Sequence, residues 1–149
     1  MQHKITKPSR LLDKKGKLIQ KGYALSPILT YCRKDVARKL RLKEWDYYLI
    51  YNQKYAVALT VAQSVNIVLL SASFIDFSKA AERTKSLFRI VSRKKFCMPE
   101  SSVEGDIIYQ DSEVNLSFKQ EAMSRKLNFK IRNFDNGTKF DASLELRRE

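Results

Sequence analysis

The sequence predicts an all-β fold, an antiparallel meander that curls into a barrel or a curved sheet, preceded by an irregular basic segment. Three observations lead there. First, apolar and polar residues alternate through three successive runs in the last third of the chain. Val114, Leu116 and Phe118 alternate with Asn115, Ser117 and Lys119, then Leu127, Phe129 and Ile131 with Asn128, Lys130 and Arg132, then Phe140, Ala142, Leu144 and Leu146 with Asp141, Ser143 and Glu145. Successive side chains of a strand point to opposite faces, so this is the pattern of a sheet with one dry face and one wet face. Second, Asn136-Gly137 joins the last two runs, and Asn-Gly is a strong hairpin signal. Third, nearly all the links between runs are short, which suits antiparallel neighbours and excludes crossovers.

Residues 1–42 read as an irregular leading segment packed on the sheet. Within it Lys14-Lys15-Gly16 signals a turn, and Gly22 and Pro27 break up the stretch before residue 33. Residues 33–40 have the length of two helical turns, too short to stand without tertiary contacts. Residues 43–149 form the β domain. Its first strand starts near Lys43, with Trp45, Tyr47, Leu49 and Tyr51 on one face, read as interior. Asn52-Gln53-Lys54 is a turn, and Tyr55, Val57, Leu59 and Val61 begin the return strand, with small residues on its other face. Gln63-Ser64 turns the chain into the run 65–76, which is apolar on both faces and expects a cover on each. Residues 79–95 fit a basic amphipathic helix or a strand, and the missing cap favours strand or loop. Residues 98–102 are a loop, Gly105-Asp106 a turn and Ile107-Ile108-Tyr109 a short strand. The sum is seven or eight strands. About eight suffice to close a small barrel around side chains or one small ligand. The alternative is an open curved sheet completed by further chain.

Composition narrows the function classes. The chain has 149 residues, with only four Gly and three Pro, so it holds one core and no low-complexity linker. No run approaches the ~20 apolar residues that span a bilayer, and the first residues lack the apolar core of a secretory signal. A cytoplasmic location with Cys32 and Cys97 as reduced thiols is the expectation. The formal charge is +13, and residues 1–43 carry 13 Lys and Arg against Asp13 and Asp35, a net of +11. That excess can attract nucleic acid, an anionic membrane or acidic partners, or can serve solubility alone. Its candidate surface is Lys14, Lys15, Arg33, Lys34 and Arg41.

His3 is the only histidine, which removes histidine-rich metal sites and leaves little room for a Ser-His-Asp arrangement. No Gly-rich phosphate loop or dinucleotide fingerprint occurs. Neither metal, cofactor nor catalytic residue is therefore assigned, and whether the chain is an enzyme stays open. The densest cluster of polar and aromatic residues runs from Arg41 to Tyr48. One reading makes Glu44, Trp45, Asp46 and Tyr48 a ligand-binding site, with a carboxylate as acid, base or anchor and Tyr48 as hydrogen-bond donor. The other is structural: Trp45 seals one end of a barrel, and the carboxylates pair with Lys or Arg at the rim.

At this cluster the chain resembles the bacterial family called domain of unknown function 2804. The similar features are Ile5-Thr6-Lys7-Pro8, Leu11-Leu12-Asp13 with Gly16, Gly22-Tyr23-Ala24, Arg33-Lys34-Asp35, and Lys43-Glu44-Trp45-Asp46-Tyr47-Tyr48. They continue with Tyr55-Ala56-Val57-Ala58-Leu59-Thr60, Met98-Pro99, Ser101-Ser102, Gly105-Asp106 and Phe134 through Phe140-Asp141-Ala142. The Lys43–Tyr48 motif is the most specific of them. The resemblance implies a lipocalin-like (calycin) architecture and a hydrophobic ligand, lipid or isoprenoid-like. It implies no catalytic residue. Family members are roughly twice as long, so it also implies a C-terminal sister domain, with this chain as the first half of a longer protein. Three functions are expected from these readings. The chain encloses a hydrophobic ligand. Alternatively it is a basic module for nucleic acid or an anionic membrane. Alternatively it is a cyclase- or hydratase-type enzyme using Asp46 and Tyr48, with part of its site in a second half.

Overall fold

A computed structural model describes residues 2–101 and 103–147. Ser102 of the expected loop and Glu149 at the end of the expected β domain lie outside the described residues. Two short strands, β1 (Ser9–Arg10) and β2 (Leu29–Thr30), pair in parallel in the leading segment. The helix expected over 33–40 is instead two separate 3-10 turns, Arg33–Asp35 and Lys39–Arg41. No cap bond from a side chain supports either turn, and so short a stretch cannot sustain α-helical bonding alone.

Eight further strands follow among the described residues, all antiparallel. They are β3 (Lys43–Tyr51), β4 (Tyr55–Ser64), β5 (Ile67–Asp76), β6 (Ala81–Ile90), β7 (Ile107–Gln110), β8 (Val114–Gln120), β9 (Ser124–Asp135) and β10 (Thr138–Arg147). Within 79–95, the segment that fits either helix or strand by sequence, Ala81–Ile90 is strand β6. The meander does not close. It divides into two four-stranded sheets, β3-β4-β5-β6 and β10-β9-β8-β7, and no ladder joins them among the described residues.

The inner faces of both sheets meet in one core. Leu59, Val61, Val68 and Leu70 from the first sheet pack with Leu116, Phe118, Leu127 and Phe129 from the second, all with no more than trace exposure. Phe96 and Met98, from the link between the sheets, complete it. The Gln63 side chain clasps that link: its Nε2 donates to the Phe96 carbonyl at 2.8 Å, and its Oε1 accepts from the Met98 amide at 3.1 Å. The turn expected at Gln63-Ser64 therefore moves along to Val65-Asn66, and Gln63 is a buried strand residue. Val65 takes φ 53°, a conformation that crowds a β-branched side chain. The last hairpin turns as expected at Asn136 (φ 46°) and Gly137 (φ 85°).

One expectation reverses. Trp45, Tyr47, Leu49 and Tyr51 are not interior: Trp45 is 64% exposed and Tyr51 72%. The ladder sets Tyr51 opposite Ala56 and Trp45 opposite Ala62, so this row shares the alanine face of β4. Tyr48 and Asp46 stand opposite fully buried Leu59 and Val61, and cross-strand neighbours share a face. Glu44, Asp46, Tyr48 and Ile50 consequently point inward.

Candidate functional site

Two carboxylates on the inner face of β3 organise the site. Glu44 comes first, and only 9% of its side chain is exposed. Its Oε1 accepts from the Tyr31 hydroxyl at 2.7 Å and from Arg33 Nε at 2.8 Å. Its Oε2 accepts from Arg93 Nη1 at 2.9 Å. Arg33 also reaches Glu100 at 3.2 Å and donates to the Met98 carbonyl. One carboxylate thereby binds the leading segment, β3 and the inter-sheet link together. A charge this far from water needs such partners, because removing it from solvent uncompensated is very costly. Burial pushes the Tyr31 hydroxyl up, and its hydrogen bond to Glu44 adds to the rise.

Asp46 lies two residues on. Its Oδ2 accepts from the Tyr48 hydroxyl at 3.1 Å and from Arg125 Nη2 at 3.2 Å. The Arg125 guanidinium lies 5.7 Å over the Tyr48 ring, and that ring meets Phe118 edge-on at 5.5 Å. Asp46 thus ties β3 to the start of β9 across the core. Burial raises the Tyr48 pKa above its ordinary value, with the neighbouring Asp46 charge as the next cause.

A cavity of about 340 Å³ opens beside these groups. Leu42, Trp45, Met98 and Pro99 give it apolar walls, while Tyr31, Glu44, Asp46 and Ser101 give it polar atoms. Of the four residues expected to bind ligand, the structure brings Glu44, Trp45 and Asp46 to this cavity. Tyr48 is turned into the core behind Asp46. A different cleft, about 390 Å³, lies on the second sheet. Its acids are already engaged, Asp111 and Glu113 by Arg89 and Asp141 by Lys130. Asp111 is held at about 2: burial raises its pKa, but the bond from Arg89 and the amides of Glu113 and Val114 outweigh that.

The residues of the expected basic surface divide. Lys14 and Lys34 are exposed, and Lys15 and Arg41 line a cleft with Lys17, Arg38 and Lys43. Arg33 turns to Glu44 and Glu100 instead. Sequence reasoning missed Tyr31, Arg93, Arg125 and Gln63. An inward carboxylate demands a guanidinium, so Glu44 and Asp46 signalled that partners exist. They did not signal which of 29 basic residues would serve. Among the described residues no group of three or more His, Cys, Asp or Glu side chains forms a metal-binding cluster.

This geometry coincides with a family match. The model of the family described as Domain of unknown function (DUF2804) matches residues 2–149. The chain belongs to this family. The Lys43–Tyr48 motif on which the resemblance turned is the strand that carries both carboxylates and Trp45. No curated protein and no solved structure matches the chain.

Proposed function

We propose that this member of the family is a non-catalytic binding module for a small hydrophobic molecule, lipid- or isoprenoid-like, with one polar end. The observation that carries the reading is the cavity at the start of β3, where four apolar walls meet a hydrogen-bonding floor. Ligand pockets commonly run from ~300 to 1,000 Å³ and combine apolar lining with a few placed polar groups. At about 340 Å³ this one suits a short chain. The interior between the sheets is filled by side chains, so the ligand belongs at the rim and not in a barrel lumen. The cyclase- or hydratase-type reading has less support. Asp46 is already engaged by Arg125 and Tyr48, and burial holds the Tyr48 hydroxyl protonated.

Trp45 is the only tryptophan and lines the cavity, so its fluorescence reports occupancy. Titration with farnesol should quench or blue-shift its emission saturably. The Leu42→Glu variant, altered at a half-buried wall, should weaken that response roughly tenfold, as expected when a charge enters an apolar contact. A flat response to both farnesol and oleate would refute the proposal.

A further inference from the structure

The outer face of the β3–β6 sheet and the basic cleft beside it form one continuous surface. The ladders align Trp45, Ala62, Leu69 and Phe88 in a row across the sheet, and Lys43, Ser64, Ile67 and Ile90 in the next. Phe88 is 66% exposed and Ile90 90%. Lys43 and Glu82 are the only charged residues at the outward positions of these four strands. Contiguous apolar surface of this kind marks an interaction site.

Lys43 is also the hinge between that face and the cleft. The cleft, about 730 Å³, gathers Lys15, Lys17, Arg38, Arg41 and Lys43 with no acidic side chain on its walls. Among the described residues none of these five cations has a carboxylate partner. The turn bearing Lys15 and Lys17 is locked against the segment bearing Arg38. Gly16 takes φ 73°, and a Cβ there would lie 2.7 Å from the Ala37 Cβ, so only glycine permits this approach.

We infer that this surface docks on an anionic lipid bilayer, the cleft cations meeting headgroup phosphates while Trp45, Phe88 and Ile90 enter the interfacial layer. Charge complementarity selects the occupant: five cations with no carboxylate partner among the described residues border an aromatic and aliphatic face, and residues 1–43, which hold them, carry a net charge of +11. Tryptophan and tyrosine favour the headgroup level, and apolar side chains drive shallow insertion. A nucleic-acid backbone would use the cations and leave Phe88, Ile67 and Ile90 idle. Leu42, Lys43 and Trp45 border the ligand cavity as well, but Phe88, Ile90, Lys15, Arg38 and Arg41 do not line it, so variants at these five positions test the inference separately from the small-molecule reading.

Flotation with phosphatidylcholine vesicles containing about a third phosphatidylglycerol tests it. The full chain should bind these vesicles at least ~10-fold better than pure phosphatidylcholine, lose binding at high salt, and show blue-shifted Trp45 emission when bound. Each cation near an anionic surface is worth roughly fivefold, so the Lys15→Gln, Arg38→Gln, Arg41→Gln triple variant should lose on the order of a hundredfold. The Phe88→Ser, Ile90→Ser pair should lose roughly tenfold. Both variants alter exposed side chains, so their urea midpoints should match the parent. Absence of flotation would overturn the inference. So would unchanged binding by both variants, or self-association or oligonucleotide binding without vesicle binding.

Discussion

The two sheets share an architecture and differ in their outer faces. On β9 the outward set is Lys126, Asn128, Lys130 and Arg132, and the inward set is Leu127, Phe129 and Ile131. Polarity alone decides which side is wet. On β3 both sets are mixed: Trp45, Tyr47, Leu49 and Tyr51 against Glu44, Asp46, Tyr48 and Ile50. Here the aromatic set faces outward, and the set with two carboxylates faces inward. Alternation identifies the residues that share a face. It names the buried face only where the two sets differ in cost, and on β3 the ion pairs remove that difference.

The largest test of this contrast compares one aromatic from each sheet. Phe129→Ala, at a fully buried position, should cost about 3–5 kcal/mol in urea denaturation. Tyr47→Ala, on the exposed side of β3, should stay within about 0.5 kcal/mol. Equal losses would mean that both faces of the first sheet are covered.

Next comes the inward carboxylate. Glu44→Gln would leave Arg33 and Arg93 without their shared counter-charge and should cost about 2–3 kcal/mol, below the range for fully buried pairs because both guanidiniums retain some water. Loss of less than a tenth of that would show the pairs to be solvated surface contacts.

The seam between the sheets offers a smaller, pH-dependent effect. Arg89 on β6 grips Asp111 at 2.6 Å and Glu113 at 2.9 Å in the turn between β7 and β8. Because Asp111 titrates at about 2 in the folded chain, below its unfolded value, its contribution is present at neutral pH. It fades as pH falls from about 4 toward 2, and after allowance for solvent amounts to roughly 1 kcal/mol. Asp111→Asn should flatten the stability profile in that window.

The hairpins give the mildest contrast. The second sheet turns at Asn136-Gly137, residues suited to positive φ, whereas the first turns through Val65 at φ 53°. Val65→Asn should raise stability by about 0.5 kcal/mol, because Asn tolerates the left-handed region better than a β-branched residue. A drop in the urea midpoint would show that the valine side chain contributes packing that outweighs its strain.

Much of the fold was legible in the sequence, because strands of the second sheet separate apolar from charged residues cleanly and the Asn-Gly turn marks the last hairpin, although the β9–β10 register shifts just beyond it, between Thr138 and Phe140. The division into two sheets was not. It depends on Phe96 and Met98 entering the core between them, and on the Gln63 amide holding that link, neither of which has a periodic signature. The site was half legible. Glu44, Trp45 and Asp46 announced themselves by density within one strand. Their partners Tyr31, Arg33, Arg93 and Arg125 come from remote segments, and ordinary basic residues carry no mark of the carboxylate they will meet.

Among the described residues every long strand pairs only with its neighbours in sequence, and the stretch 91–106 links the two sheets. Each meander can therefore assemble from nearby chain before the halves dock, which favours rapid folding by local closure. The molecule is also divisible. Cut between Ser101 and Val103, the two fragments retain complete ladders, and the shared core gives them reason to recombine. A split reporter built at that point would make reassembly of the halves its signal.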